Sequence, residues 1–262
     1  MTAINKRALA ILENASKRAP QYPTTTLTIK TSAKTVLITG SNRGIGLSFT
    51  KHYVNNGWKV IAAARDLQSA TDLKALKVEK IVQIDTSDEA SITAAAQQLK
   101  GQPIDLLINN AGIGGLHGGG LDQTTKAEMM KQFEINAVGP FLMTRAFLPN
   151  LKLAVAKNGS ATVGQITSCL GSIADNGSGG MYGYHASKTA LNMVNSSLAT
   201  DLKDEKIIVL ALHPGYVVTR MTGHTGQTTP EDSVAGMTKI IAEATSEDSG
   251  KFFHFSGNIL PY

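Results

Sequence analysis

Short apolar runs alternate with longer helical stretches from Thr35 to the end of the chain, and this alternation limits the fold more than any other feature. The runs are continuously apolar, which is typical of parallel strands covered by helices on both faces. The sequence therefore predicts an α/β fold, a single Rossmann-type doubly wound parallel sheet of about seven strands. The predicted strands are Thr35–Thr39, Lys59–Ala64, Lys80–Asp85, Ile104–Asn109, Ala161–Ser168 and Lys206–His213, with Phe252–Phe255 as a candidate seventh.

Local signals predict where some of the helices begin and end. Thr86–Glu89 and Thr125–Glu128 both fit the capping box, in which a threonine and a glutamate satisfy the first backbone N–H groups of a helix. Pro140 and Pro149 are expected to kink or end the long helical stretch that follows the second of these boxes.

Composition excludes several classes of protein. The chain has 262 residues and a single cysteine, Cys169, so no intramolecular disulfide can form. A lone cysteine is typical of a reducing compartment and predicts a cytoplasmic protein. No apolar run approaches the roughly 18 residues of a membrane span, so no such span is expected. Residues 1–34 hold six basic residues and one acid and carry the whole net charge of +5, which disfavours a nucleic-acid partner for the rest of the chain.

The basic segment 1–34 is predicted to be an N-terminal extension of one catalytic domain, residues 35–262. Its apolar residues recur at helical spacing, which favours a helix packed on the domain or on a partner subunit. A basic segment poor in acids also fits a mitochondrial transit peptide, and a solvated tail is the third interpretation.

A glycine-rich turn directly follows the first predicted strand. Glycines let a backbone turn tightly and approach a pyrophosphate, and the N-terminus of the next helix offers unpaired N–H groups. The spacing G-x-x-x-G-x-G differs from the commoner G-x-G-x-x-G, but its position after the first strand predicts nucleotide binding. The residues of this turn are Gly40, Ser41, Asn42, Arg43, Gly44, Ile45 and Gly46.

The end of the second predicted strand bears on the choice of cofactor. An acid at this position would hold the ribose hydroxyls of NAD, but this chain has Ala64 and then Arg65. Arg43 in the glycine turn can converge on the same place, and two guanidinium groups suit a 2′-phosphate. Asp66 argues for NAD instead, because it could pair with Arg65 or bind a 2′-hydroxyl. The sequence thus favours NADP(H) over NAD.

From about Thr35 to its C-terminus, the chain resembles the short-chain dehydrogenase/reductase family. Any one motif could arise by chance, but the ordered set, each at a predicted strand end or helix, is specific. The motifs are Thr39–Gly46, Asn109–Gly112, Asn136, a serine after the fifth strand, Tyr184-x-x-x-Lys188 and Pro214-Gly215. Within the family, Leu170–Ile173 with Asp175-Asn176, Gly179–Tyr182 and the ending at Tyr262 are similar to sniffer-type carbonyl reductases and C-factor proteins.

The resemblance implies a catalytic group of Asn136, Ser168, Tyr184 and Lys188. Tyr184 would be the general acid, and Lys188, four residues later on the same helix face, would lower the pKa of the phenol. The family also places this lysine on the nicotinamide ribose, the serine on the substrate oxygen, and the asparagine beside a water that relays protons. Ser168 ends the fifth predicted strand, but Ser172 has a spacing to the tyrosine nearer the family's usual one and stays an alternative.

Further cofactor contacts are implied by the same resemblance, and no metal is expected. Asp85 and Thr86 match the adenine-binding position of the family. The central cofactor path and the nicotinamide carboxamide would be met by Asn110, Ala111, Gly112, Pro214, Gly215, Val217 and Thr219, together with Tyr184 and Lys188 at the ribose.

The chain is therefore expected to be an NADPH-dependent oxidoreductase that reduces a carbonyl to an alcohol by hydride transfer. The substrate would be a small ketone, aldehyde or quinone-like molecule, selected by the loops Ile113–Gln123, Cys169–Met181 and Arg220–Gln227. A non-enzymatic NADP-binding signalling protein on the same fold is the alternative, and a dehydration or epimerisation is a third. A homodimer or homotetramer is expected from the resemblance, with a monomer as the other outcome.

Overall fold

Seven parallel strands form one sheet in the computed structural model of this chain, which describes residues 33–68, 70–114 and 120–262. The order across the sheet is β3-β2-β1-β4-β5-β6-β7, and every neighbouring pair runs parallel. The predicted fold class is confirmed. The strands are β1 Thr35–Thr39, β2 Lys59–Ala64, β3 Lys80–Gln83, β4 Leu106–Asn109, β5 Ala161–Ile166, β6 Ile207–His213 and β7 Phe252–His254.

Helices connect successive strands and cover both faces of the sheet. They are α1 Gly44–Asn55, α2 Thr71–Lys74, α3 Glu89–Gln98, α4 Lys126–Phe133, α5 Gly139–Asn158, α6 Tyr182–Asp201 and α7 Pro230–Glu243. A π-helical turn, Glu134–Val138, joins α4 to α5. One core packs α3, α5 and α6 on the sheet around Phe147, and the other packs α1, α2 and α7 around Phe49.

Side chains on the strands alternate between these two cores. On β5, Val163 belongs to the core under α5 and α6, whereas Ile166 belongs to the core under α1 and α7. Since both faces are covered, the strands read as continuous apolar runs, as the sequence indicated.

The helix boundaries confirm some of the local signals and correct others. Thr125 and Glu128 form the predicted capping box of α4. At α3 the cap is Asp88, whose side chain accepts from Ala90 N, and not Thr86. Helix α5 has Pro140 in its first turn and does not end at Pro149, which lies inside it. Proline needs no N–H partner at a helix start, whereas Pro149 is tolerated because the apolar face of α5 holds the helix on the sheet.

The carboxyl ends of all seven strands meet at one edge of the sheet. The chain leaves β1 towards β2 and β3 and later returns to place β4 on the other side of β1. In sheets of this kind, ligands bind at that reversal, outside the carboxyl ends of the strands. A ligand site is therefore expected where the turns after β1, β4, β5 and β6 converge.

Part of the sequence-based prediction lies outside the described residues. The N-terminal extension does so except for residues 33 and 34, as do residues 115–119 of the first specificity loop. Among the helices in the described ranges, none is long and apolar enough to cross a membrane.

Phe147→Ala should strongly destabilise the fold. The ring is fully buried under the sheet, so truncation leaves a cavity and should lower the free energy of unfolding by about 3–5 kcal/mol. Phe141→Ala on the same helix is the matched control, because that ring is 38% exposed, and it should cost no more than about 1 kcal/mol. Equal losses in urea denaturation would contradict the packing described for α5.

Candidate active site

The glycine turn after β1 brings two backbone segments into direct contact. A Cβ at Gly46 would lie 2.1 Å from the carbonyl oxygen of Gly40, so no side chain fits at this position. Gly40 and Gly44 both have positive φ, at 67° and 52°, which glycine adopts without strain. Ser41 is buried and its hydroxyl donates to Ile38 O at 2.7 Å.

The first turn of α1 is left open to a ligand. Arg43 occupies the N-cap position without a side-chain cap, and no acidic residue lies in the first turn. The 12-residue helix thus presents uncapped N–H groups and the positive end of its dipole at the carboxyl edge of the sheet. These features fit a pyrophosphate, because a negative group can approach the glycine backbone closely and accept those N–H groups.

The turn after β4 is bonded to the turn after β1. The amide of Asn110 donates to Thr39 O at 2.8 Å and to Gly40 O at 3.3 Å. The hydroxyl of Thr39 accepts the backbone N–H groups of Asn110 and Ala111 at 3.0 and 2.9 Å. The structure therefore brings these predicted cofactor residues beside the glycine turn, as expected from neighbouring parallel strands.

The predicted determinants of cofactor choice lie in the glycine turn after β1 and at the end of β2, and the predicted adenine-binding residues follow β3. Arg43 and Arg65 are both exposed, and neither forms an ion pair with a described residue. Asp85 accepts from the N–H and hydroxyl of Ser87 at 3.0 and 2.7 Å. Burial opposes ionisation of Asp85, but the bonds from Ser87 and the charge of Arg65 together hold its pKa below the ordinary value. Thr86 is buried beside it.

Tyr184 lies in the first turn of α6 and is largely buried. Burial raises the pKa of Tyr184 to about 12, and hydrogen bonding with Ser168 acts in the opposite direction. The phenol is therefore protonated at neutral pH. Ser168 is the serine brought to Tyr184, whereas the hydroxyl of Ser172 accepts from Asp175 N at 3.1 Å.

Lys188 does not lower the pKa of Tyr184 in this structure, contrary to the expectation from their spacing. Its amine donates to Ile166 O at 2.9 Å and lies 5.8 Å from the centroid of the Tyr184 ring. Burial lowers the pKa of Lys188 to about 8, so the amine exchanges protons near neutral pH. Desolvation outweighs the mutual attraction of the two groups, since it disfavours the charged form of each.

Asn136 lies in the π-helical turn and bonds two other elements. Its side chain accepts from Ile113 N at 2.8 Å and donates to Ile113 O at 2.7 Å and to Ser187 Oγ at 3.0 Å. The residue thus ties the segment after β4 to α6. The extra backbone residue of a π turn is a recurrent feature of functional sites.

Glycines let the segment after β4 pass directly over the catalytic candidates. A Cβ at Gly114 would lie 2.7 Å from Cε2 of Tyr184, and one at Gly112 would lie 3.2 Å from Oδ1 of Asn136 and 3.7 Å from Nζ of Lys188. Gly114 was missed by the sequence analysis. The run of glycines in this segment was a signal, but the sequence analysis gave the segment only as part of a specificity loop.

The turns after β6 close the other side of the site. The carbonyl of Pro214 accepts from Ser233 Oγ at 2.6 Å, and Gly215, with φ 83°, packs against the ring of Phe255. Val217 is buried and forms an isolated parallel β-bridge with Thr228. Thr219 lies at the glycine turn, because a Cβ at Gly44 would be 3.5 Å from its methyl group.

The loop before α6 holds an unusual backbone. Gly179, Gly180 and Met181 are successive residues in the left-handed region, with φ of 60°, 67° and 42°. Met181 O then accepts the first hydrogen bond of the helix, from His185 N, at 3.0 Å. Helix α6, which carries Tyr184 and Lys188, thus begins directly after a left-handed turn.

His213, at the end of β6, is a further buried ionisable residue, and the sequence analysis did not assign it to the site. Its ring centroid lies 5.2 Å from that of His254 on β7, and its Nδ1 has no hydrogen-bond partner among the described residues. Burial, and then the positive charges of His254 and Lys188, lower the pKa of His213 to about 4. It is therefore neutral beside the amine. The described residues hold no cluster of His, Cys, Asp and Glu that could bind a metal.

The family model for short chain dehydrogenases matches residues 34–230. The C-signal protein of Myxococcus xanthus is 42% identical over 160 residues, which cover 61% of this chain and 93% of that protein. The NADPH-bound carbonyl reductase from chicken fatty liver has a TM-score of 0.81 and 36% identity, covering 88% of this chain and 99% of that one. The carbonyl reductase Sniffer of D. melanogaster has a TM-score of 0.83 and 30% identity, with 88% and 100% covered.

The chain therefore belongs to the short-chain dehydrogenase/reductase family, a family of oxidoreductases that use nicotinamide cofactors. The resemblance to sniffer-type carbonyl reductases is confirmed.

Stability should fall with pH between about 6.5 and 4 because of His213. Its pKa is about 4 in the folded state against 6.5 ordinarily, so the unfolded chain binds more protons in this window. The stability linked to the neutral ring is present above pH 6.5 and is lost as the pH falls towards 4, by up to about 3 kcal/mol.

This loss is measured by urea denaturation of the wild type and of His213→Gln at pH 7 and pH 4.5. The wild type should lose more stability than the variant across that interval. His224→Gln, which removes an exposed imidazole, is the control and should follow the wild type. Identical pH slopes for the wild type and His213→Gln would contradict the assignment.

Proposed function

We propose that this chain is an NADPH-dependent carbonyl reductase that converts a ketone, aldehyde or quinone-like carbonyl to an alcohol. The observation that carries the proposal is the largely buried, protonated phenol of Tyr184, which lies beside the side chain of Ser168 and one helical turn before Lys188. A carbonyl oxygen that receives a hydride at its carbon becomes a strong base and needs such a proton donor.

The residues of the glycine turn and the turn after β4 would hold the cofactor. The pyrophosphate would accept the uncapped N–H groups of α1, and the backbone of Asn110–Gly112 would lie along the dinucleotide. When bound, NADPH supplies the hydride. Pro214, Gly215, Val217 and Thr219 would position the carboxamide end, an assignment supported by the contact between Thr219 and Gly44.

The chain's own residues would then handle the substrate oxygen and the proton. Ser168 would donate to the oxygen and stabilise its developing negative charge. Tyr184 would transfer its proton to that oxygen, a favourable step because an alkoxide is more basic than the phenolate left behind. Lys188, with a pKa of about 8, is suited to return a proton to Tyr184 after each turnover. Asn136 would keep the segment over Tyr184 in place.

Arg43 and Arg65 support a preference for the 2′-phosphate of NADP(H). Both guanidinium groups are exposed at the carboxyl edge, one in the glycine turn and one directly after β2. Neither is neutralised by an ion pair with a described residue, so both stay available to a dianionic phosphate. The carbonyl reductase from chicken fatty liver, similar in fold and sequence, binds NADPH.

The loops at the mouth of the site favour an apolar substrate. Leu121, Ile173 and Met221 are exposed, one on each of the three predicted specificity loops. The loop after β6 forms only a short 3₁₀ turn, Arg220–Thr222, before α7 begins. A short lid with apolar side chains suits the broad acceptance of small apolar or aromatic carbonyls.

Tyr184→Phe should lower kcat at least about 100-fold while NADPH binding is retained, because only the proton donor is removed. The measurement is NADPH oxidation with a panel of ketones, aldehydes and quinones. Tyr182→Phe is the matched control, since this tyrosine lies two residues earlier, is exposed and has no lysine four residues later. Unchanged turnover in Tyr184→Phe would exclude the proposed mechanism.

Arg65→Gln and Arg43→Gln should each weaken NADPH binding about tenfold or more, by removal of a charged hydrogen bond to the 2′-phosphate. Binding of NADH should change little. Titration of cofactor fluorescence measures both affinities, and Lys152→Gln, which removes a surface cation paired with Glu205, is the control. Parallel losses for both cofactors would argue against a 2′-phosphate contact.

The similarity to the C-signal protein favours a second candidate function, that of an NADP-binding signalling protein. This candidate predicts tight NADPH binding without reduction of any carbonyl. The enclosed Tyr184 and the adjacent Lys188 favour the enzyme, because a binding protein has no need of a protonated phenol at the same place.

A further inference from the structure

A group of buried polar residues outside the proposed catalytic set binds the turn after β5 to helix α6. The hydroxyl of Thr167 donates to Oδ1 of Asn192 at 2.7 Å. The amide of Asn192 then donates to Gly171 O at 3.1 Å. The two bonds therefore lie on either side of Ser168 in the sequence, one at the residue before it and the other three residues after it.

A third bond reinforces the same carbonyl. The hydroxyl of Thr189 donates to Gly171 O at 2.9 Å, so both acceptor sites of this oxygen are directed at α6. Thr167 and Asn192 are 2% and 3% exposed. Because water scarcely reaches these groups, their hydrogen bonds are strong, and a lost partner is not replaced.

The turn also lies in direct contact with the helix backbone at Lys188. A Cβ at Gly171 would be 2.8 Å from the carbonyl carbon of Lys188 and 2.9 Å from its Cβ. Only glycine fits at this position, and its backbone is held against the helix by the bonds from Thr189 and Asn192. The separation between the turn and α6 is thus set on both sides, by contact and by hydrogen bonding.

Helical spacing relates this anchor to the catalytic candidates. Tyr184, Lys188 and Asn192 follow each other at intervals of four residues, so they lie along one face of α6. On that face, Asn192 is the residue that bonds to the segment carrying Ser168, through Thr167 before the serine and Gly171 after it. Tyr184 and Ser168 come from different elements, and this connection is one of the contacts that relate them in space.

We propose that Asn192, together with its partner Thr167, is a positioning residue that holds the Ser168 hydroxyl at the Tyr184 phenol. The assignment rests on the proposed reductase function, in which this serine and this tyrosine meet the substrate oxygen. Neither Asn192 nor Thr167 takes part in the chemistry itself. Their effect is exerted on the distance between two groups that must reach the same atom.

Removal of the anchor should impair the chemical step and leave cofactor binding intact. A displacement of about 1 Å in a reacting group can cost about 100-fold in rate, so kcat should fall about 10- to 100-fold. The dissociation constant for NADPH should stay within about twofold, since the glycine turn is bonded to β4 and not to this anchor. KM for the carbonyl substrate should change less than kcat, because the anchor acts on the geometry of proton transfer and not on cofactor binding.

The experiment compares Asn192→Leu, Thr167→Val and the conservative Thr167→Ser. Valine has the shape of threonine but no hydroxyl, whereas serine retains the donor to Asn192. Thr200→Val on the same helix is the matched control, since its exposed hydroxyl only bonds back to Ser196 O. Each variant is measured for kcat, KM, NADPH affinity and thermal unfolding.

The proposal requires that Thr167→Val and Asn192→Leu lower kcat alike, that the double variant is no worse than either, and that Thr167→Ser restores most of the rate. Wild-type kcat in a folded Thr167→Val would overturn it. If Asn192→Leu does not fold, the contrast between Thr167→Val and Thr167→Ser decides alone.

The activity of the wild type distinguishes a failure of the proposed reductase function from a failure of the proposed anchor. If the wild type reduces no carbonyl, crystal structures of the wild type and Thr167→Val decide on the anchor. An increase in the distance from Ser168 Oγ to Tyr184 Oη supports the positioning role, and an unchanged distance overturns it. If Tyr184→Phe abolishes turnover while Thr167→Val does not reduce it, the function stands and the anchor fails.

Discussion

The hydroxyl of Tyr184 and the amine of Lys188 are both withdrawn from water, and withdrawal from water favours the uncharged form of each group. The pKa of the phenol rises to about 12 and that of the amine falls to about 8. A positive charge on the lysine would have to overcome its own loss of hydration before it could stabilise a phenolate. The site thus holds a proton donor that keeps its proton and a neighbour that can exchange one near neutral pH.

Close contacts of the backbone produce this burial. Gly114 lies on the ring of Tyr184, Gly171 lies on the backbone of Lys188, and Asn136 holds the segment after β4 against α6. Each contact joins elements that are distant in sequence and that meet only because parallel strands end at a common edge. The sheet order therefore determines the dielectric environment of the site as well as its shape.

The sequence predicted the sheet and most of the candidate site because those features are encoded locally. Apolar runs gave the strands to within two residues at either end, and the Tyr-x-x-x-Lys spacing placed both side chains on one helix face. Features set by tertiary contact were not predicted. The continuation of α5 through Pro149 and the neutral ring of His213 both depend on packing partners distant in sequence. The direction of the Tyr184 pKa was wrong for the same reason, since spacing reveals a nearby charge but not the exclusion of water.

Met181 has consequences for the robustness of the protein. A side chain with a Cβ in the left-handed region costs roughly 1–2 kcal/mol, and this residue follows two glycines in the same conformation. Laboratory selection for heat tolerance would therefore enrich asparagine or glycine at this position. A methionine retained under such selection would mean that its side chain contributes to function and not to stability.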